Sequence, residues 1–94
     1  MEYLEKYNLS KNDINEIINK IDSMDRLEYE LHEGNISKIL DYLVERKFDI
    51  KNLLIYKSFM FYTPSDKLIE KLRLIKDEEI PMINEDIDLI EDYI

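Results

Sequence analysis

The sequence contains no cysteine, one glycine and two prolines among its 94 residues. The absence of cysteine excludes disulfide frameworks and thiolate metal sites. A single glycine cannot build a glycine-rich phosphate loop, and so few glycines and prolines leave little scope for β-hairpin turns. The residues that are abundant, among them isoleucine, leucine, lysine and glutamate, suit helices. The composition therefore predicts an all-α fold.

Long apolar runs are also missing. No stretch reaches the roughly 18 apolar residues of a transmembrane helix. The opening residues "MEYLEKYNLS" carry acids where a signal peptide needs a basic start. Hydrophobic residues make up 45% of the chain, which is enough for a modest core. We expect a single helical domain over residues 1–94, located in the cytoplasm and not at a membrane.

Positive charge is absent from the end of the chain. The formal net charge is -9, and no lysine or arginine follows Lys76. Residues 77–94 hold eight acids, whereas the fourteen acids of residues 1–76 are nearly balanced by thirteen basic residues. This distribution disfavours direct binding to nucleic acid or to an anionic membrane, because both would be repelled.

Polar residues at helix-start positions predict where the helices begin. Thr63 followed by Pro64 is the clearest such signal, because proline is favoured at the first helical position. The pattern predicts a compact bundle of five to seven short helices. The expected N-caps are Ser10, Asn35, Asp49, Thr63 and Asn84.

An imperfect repeat underlies these helices. Each unit comprises a polar cap, a short helix, an apolar link and a longer helix, and "NEDIDLI" begins a third copy. This pattern favours stacked helical hairpins. The alternative is a set of unrelated helices, since any two amphipathic helices share such spacings. The recurring apolar sets are Ile14, Ile17, Ile18 with Ile50, Leu53, Leu54, and Ile36, Leu40, Leu43 with Leu68, Leu72, Ile75.

The stretch "DIKNLLIYKSFMFYTPSDKLIEKLRLIKDEEI" resembles one repeat of the mitochondrial transcription termination factor (mTERF) family. The resemblance covers roughly residues 9–92 and rests on patterned apolar residues. It implies a helical-repeat architecture and, in the family, binding of double-stranded nucleic acid by basic repeat surfaces. The chain departs from the family at Ser58, where the link usually has a proline, and in lacking the basic surface. No nucleic-acid-contacting residue is therefore carried over.

Catalytic and metal-binding signatures are missing as well. His32 is the only histidine, and no nucleophile motif surrounds the serines. The segment "NEDIDLIED" begins like a calcium loop, but its sixth position is Leu89 where an EF-hand needs glycine. We expect a protein that is not an enzyme and uses no metal or cofactor.

The acidic end is predicted to form a helix over residues 83–93 that docks on the body. Its isoleucines recur at helical spacing and would face the core, while the acids face outward. Glu91 and Asp92 would lie in the last turn, where the helix dipole disfavours anions. A charge run of this kind is commonly a solvated face, but its cost to helix stability supports the hypothesis that the acids meet a basic partner. The expected contact residues are Glu79, Glu85, Asp86, Asp88, Glu91 and Asp92.

An aromatic link, "FMFY" at residues 59–62, is the second unusual stretch. Such a link can plug the space between stacked helices, or it can expose rings as interface anchors. Four consecutive large residues do not readily all face one core from a short turn, so we expect at least one to be exposed. The candidate anchors are Phe59, Phe61 and Tyr62.

These observations predict a non-catalytic module that binds a basic protein. The leading interpretation is a small inhibitor that occupies the basic groove of a nucleic-acid-handling enzyme in place of nucleic acid. Its charge, size and class are similar to those of phage anti-CRISPR proteins and nuclease immunity proteins. The alternative is a helical-repeat adaptor that binds a partner protein through the aromatic link.

Overall fold

The computed structural model describes residues 1–94 and contains helices without strands, which confirms the all-α prediction. The α-helices are α1 (Lys11–Lys20), α2 (Ser23–Leu31), α3 (Glu33–Glu45), α4 (Ile50–Tyr56), α5 (Ser65–Leu72) and α6 (Ile80–Glu85). The 3₁₀ segments are η1 (Glu2–Tyr7), η2 (Ser58–Tyr62), η3 (Asp77–Glu79) and η4 (Ile87–Asp92).

Local capping starts several of these helices. At α1, the Ser10 hydroxyl accepts from the Asp13 amide, and the Asp13 carboxylate accepts from the Ser10 amide, each over 3.0 Å. This reciprocal capping box satisfies two backbone N–H groups that no helical carbonyl reaches. The Asp49 carboxylate caps α4 by accepting from the Asn52 amide. The expected caps at Ser10 and Asp49 are therefore confirmed.

Two asparagines expected to cap their own helices instead join different elements. Asn35 lies inside α3, and its side-chain Oδ1 accepts from the Ser65 backbone amide at the start of α5 over 2.8 Å. Thr63, the expected cap of α5, makes no side-chain cap bond. Asn84 lies inside α6, where its side chain accepts from the Asp49 amide and donates to the Lys47 carbonyl. The expected N-caps at Asn35, Thr63 and Asn84 are therefore wrong.

The helices that the sequence repeat relates are the ones that pack on each other. The short helices α1 and α4 contact one another, and so do the longer helices α3 and α5. Buried apolar residues from Tyr3 to Ile90 join in one core cluster. The third copy does not follow the pattern, because "NEDIDLI" runs from the end of α6 into the 3₁₀ segment η4.

The expected single helix over residues 83–93 is not formed. The chain leaves α6 at Asp86, whose backbone is non-helical, with φ -138° and ψ 88°. The Asp86 carboxylate accepts from the Asp88 amide and so stabilises a local turn that competes with the helix. Ile83 and Ile90 are nonetheless buried in the core. The C-terminal segment thus packs on the body as two short pieces.

Tyr29 connects three elements at the centre of the fold. Its side chain is fully buried, and its hydroxyl donates to the Leu54 carbonyl over 2.7 Å. The Tyr29 carbonyl in turn accepts from the Tyr3 hydroxyl over 2.7 Å. The ring meets Phe61 edge-on, with ring centroids 6.0 Å apart. Because Tyr29 is the only buried residue of α2, it holds that helix on the body.

Replacing Tyr29 with phenylalanine leaves the Leu54 carbonyl without its buried donor. We expect Tyr29→Phe to lower the free energy of unfolding by about 1–2 kcal/mol, measured by urea denaturation. The matched control is Tyr56→Phe, in which the lost hydroxyl belongs to an exposed ring, and a change within about 0.5 kcal/mol is expected. Equal effects of the two substitutions would contradict this role for Tyr29.

Candidate protein-binding surfaces

Lys57 is the only charged residue that is buried, and it forms ion pairs with the acidic end of the chain. It lies between α4 and η2, with a side chain that is 9% exposed. Its Nζ lies 2.6 Å from Asp88 Oδ1 and 3.1 Å from Glu91 Oε2. Hydrogen bonding to Asp88 raises the pKa of Lys57 above its ordinary value.

These two contacts fix η4 in place. The ammonium group at the end of this buried side chain makes charge-assisted hydrogen bonds, and both of its partners lie on η4. Asp88 and Glu91 remain exposed on their outer sides, because only part of each carboxylate meets Lys57. The acids of η4 are therefore presented to solvent from a segment anchored by both the Lys57 contacts and the buried Ile90.

Arg46 provides the second cation near the acidic end. Its guanidinium donates to the Leu72 and Ile75 carbonyls over 2.9 and 2.6 Å, and thereby caps the end of α5. It also donates to the Asp77 carboxylate over 2.8 Å and to the Tyr42 hydroxyl over 3.0 Å. Arg46 thus ties the start of the acidic segment to α3.

The six acids expected to contact a partner fall into three groups. Glu79 is half-buried and accepts from the Tyr93 hydroxyl, so it contributes more to packing than to the surface. Asp88 and Glu91 are exposed and share Lys57. The remaining acids, which are exposed and form no ion pair, are Glu85, Asp86 and Asp92.

The aromatic link divides between core and surface. Phe59 and Tyr62 are 49% and 44% exposed, whereas Met60 and Phe61 are buried. Phe61 was expected as an interface anchor, and that prediction is wrong, because its ring packs against Tyr29. The expectation that at least one ring is exposed is confirmed. The candidate anchors that remain at the surface are Phe59 and Tyr62.

The segment η2 connects the acidic end to α2. It follows Lys57, which contacts η4, and it ends at Tyr62, whose hydroxyl donates to the Asp25 carboxylate of α2. At about 2 Å of rise per residue, this 3₁₀ segment is on the order of 10 Å long. Phe59 lies in η2, between Lys57 and Tyr62 along the chain.

One surface was missed by the sequence reasoning. Met24, Leu27 and Leu31 of α2 are all exposed. Their spacing was visible in the sequence as an apolar stripe at i, i+3 and i+7. Periodicity shows that such residues share a face, but it does not show whether that face is covered.

The structure brings no metal-binding cluster together. No group of three or more metal-ligating side chains lies close enough to hold an ion. A shallow cleft contains His32 beside Glu28, with Nε2 and Oε2 3.0 Å apart, and Glu28 is its only acid. None of the helices has the length and apolar character needed to cross a membrane.

Replacing Lys57 with methionine removes the cation and keeps a long apolar side chain in the buried site. We expect Lys57→Met to weaken the packing of η4, so that amide hydrogen exchange across residues 87–92 becomes about fivefold faster. This change corresponds to the loss of about 1 kcal/mol, the contribution expected of partly exposed ion pairs. Because the pKa of Lys57 is raised, the wild-type contribution is present up to about pH 10.5 and is lost as pH rises further.

The matched control for this measurement is Lys20→Met. Lys20 pairs with Glu16 on the exposed face of α1, and its loss should leave η4 exchange unchanged. Unchanged η4 exchange in Lys57→Met, or the same change in both variants, would contradict the anchoring role of Lys57.

Comparison of the chain with protein families, with curated protein sequences and with solved structures finds no significant match. No family is therefore assigned. The resemblance of residues 9–92 to termination factor repeats stays a prediction.

Proposed function

We propose that the protein is a non-catalytic module that inhibits a nucleic-acid-handling enzyme by occupying its basic groove. The observation that carries the proposal is the contact of buried Lys57 with Asp88 and Glu91. It anchors the most acidic part of the chain on a folded body. An anchored array of acids loses less conformational entropy on binding than a free tail would.

The distribution of charge supports a basic partner. Glu85, Asp86 and Asp92 are exposed without ion pairs and lie beside the acids that Lys57 holds. Lys57 and Arg46, the cations that pair with acids of this segment, are already engaged by contacts within the chain. A basic groove would supply the missing counter-charges, and long-range attraction would make association fast and sensitive to salt.

A second function is favoured by a different observation. Phe59 and Tyr62 expose about half of their surface, whereas their neighbours Met60 and Phe61 are buried in the core. Aromatic residues are frequent among the side chains that dominate binding energy at interfaces. The alternative proposal is an adaptor that binds its partner through these two rings, with the acids serving solubility.

The test of the leading proposal uses the three acids that Lys57 does not hold. In Glu85→Gln/Asp86→Asn/Asp92→Asn, the Lys57 contacts stay in place, and asparagine at position 86 can still cap η4. Affinity capture from the native host should yield a basic nucleic-acid-binding enzyme with the wild-type protein. The triple variant should bind that enzyme about tenfold more weakly or worse and should no longer displace duplex DNA in a mobility-shift assay.

A matched control removes the same charge elsewhere. Glu2, Glu5 and Glu70 are exposed and form no ion pairs, so Glu2→Gln/Glu5→Gln/Glu70→Gln should retain binding. If the acidic triple variant binds normally while Phe59→Ala or Tyr62→Ala abolishes binding, the adaptor function replaces the inhibitor. If the protein itself shifts duplex DNA at low salt, both proposals fail.

A further inference from the structure

Helix α2 exposes an apolar stripe that no other part of the chain covers. The side chains of Met24, Leu27 and Leu31 are 63%, 50% and 65% exposed. At about 100° per residue, the three lie within an arc of about 60°. Tyr29, the buried residue of α2, lies on the opposite side of the helix. The stripe therefore faces solvent while Tyr29 faces the core.

Single exposed apolar residues are normal on protein surfaces, but three on one helical face form a patch. The spacing i, i+3 and i+7 is the one through which amphipathic helices contact each other in grooves and bundles. Methionine adds a flexible side chain that adapts to different partner shapes. The stripe is therefore suited to pack against the apolar face of another helix.

The helix that carries the stripe is firmly held. The Asp22 carboxylate caps it, Tyr29 anchors it in the core, and Arg26 donates to the Ile18 carbonyl over 2.9 Å. The Tyr62 hydroxyl donates to Asp25 from the neighbouring η2. A partner would therefore meet a fixed surface.

Acidic residues flank the stripe. Glu28 lies on one side and Glu30 on the other, both within about 100° of the centre of the stripe. Around them, the segment 22–33 contains five acids, whereas Arg26 is its only lysine or arginine. Glu30 also pairs with the Met1 amino group over 2.6 Å, and Glu28 contacts His32 over 3.0 Å, but both side chains keep exposed surface. The acids outnumber these cations, so the rim of the stripe carries net negative charge.

The negative charge around the stripe indicates which kind of partner can bind there. A second copy of the chain would bring the same acids against each other, and each copy carries a net charge of -9. An anionic membrane surface would be repelled for the same reason. We propose that α2 is a docking site for a basic amphipathic helix of a partner protein, with apolar side chains against Met24, Leu27 and Leu31 and with lysine or arginine toward Glu28 and Glu30.

This surface is separate from the acidic C-terminal segment and does not rest on the function proposed above. The two lie at opposite ends of η2, since Lys57 contacts η4 and Tyr62 contacts α2. A partner with a basic groove and a basic helix could engage both surfaces, but each can be tested alone.

The test uses a synthetic helical peptide of about 15 residues with leucine at i, i+3, i+4 and i+7 and lysine elsewhere. We expect it to bind the whole protein and to shift the amide NMR signals of α2 and of Tyr62. Leu27→Glu should weaken binding about tenfold, because a central anchor is lost. This substitution also adds negative charge, so purely electrostatic binding of the peptide would become stronger instead.

Two controls complete the experiment. Leu74→Glu adds the same charge at another exposed leucine and should leave binding at least as strong as in the wild type. A peptide with glutamate in place of lysine should not bind. The proposal is overturned if the peptide shifts only residues 77–92, if Leu27→Glu binds as well as Leu74→Glu, or if sedimentation shows a dimer that Leu27→Glu dissociates.

Discussion

The side chain of Lys57 is buried between α4 and η2, and its ammonium group pairs with two carboxylates. Both anions come from η4, 31 and 34 residues further along the chain. Because Asp86 ends α6, η4 is too short to be a stable helix by itself. Its position depends on Lys57 and on the burial of Ile90. The arrangement of the acidic surface follows from this contact.

Lys57 also changes how the acidic end is understood. Residues 77–94 contain no lysine or arginine, but in the folded protein Lys57 and Arg46 form ion pairs with acids of this segment. Glu91 was expected to oppose a helix dipole, yet it belongs to a 3₁₀ segment and pairs with Lys57. The exposed acids therefore favour a basic partner because of where they are held, and not because they destabilise a helix. The α2 rim adds a second acidic surface at the other end of η2.

Local signals were predictable from the sequence, and contacts between distant residues were not. The capping box at Ser10 and Asp13 depends on neighbours in the chain, so spacing was sufficient to find it. Asn35 has the same chemistry, but the amide it reaches belongs to Ser65, and no local pattern encodes that choice. Phe61 and its neighbour Tyr62 differ in exposure because a short 3₁₀ turn sends adjacent side chains in different directions. The pairing of Lys57 likewise required the tertiary fold.

The central claim is that Lys57 and the two acids of η4 stabilise one another. A double-mutant cycle tests it most directly, with unfolding free energies measured for the wild type, Lys57→Met, Asp88→Asn/Glu91→Gln and the combined variant. Direct pairing predicts a coupling energy of about 1 kcal/mol, because the acids are largely exposed and solvent screens them. Additive effects, within about 0.3 kcal/mol, would contradict the claim that Lys57 holds the acidic segment.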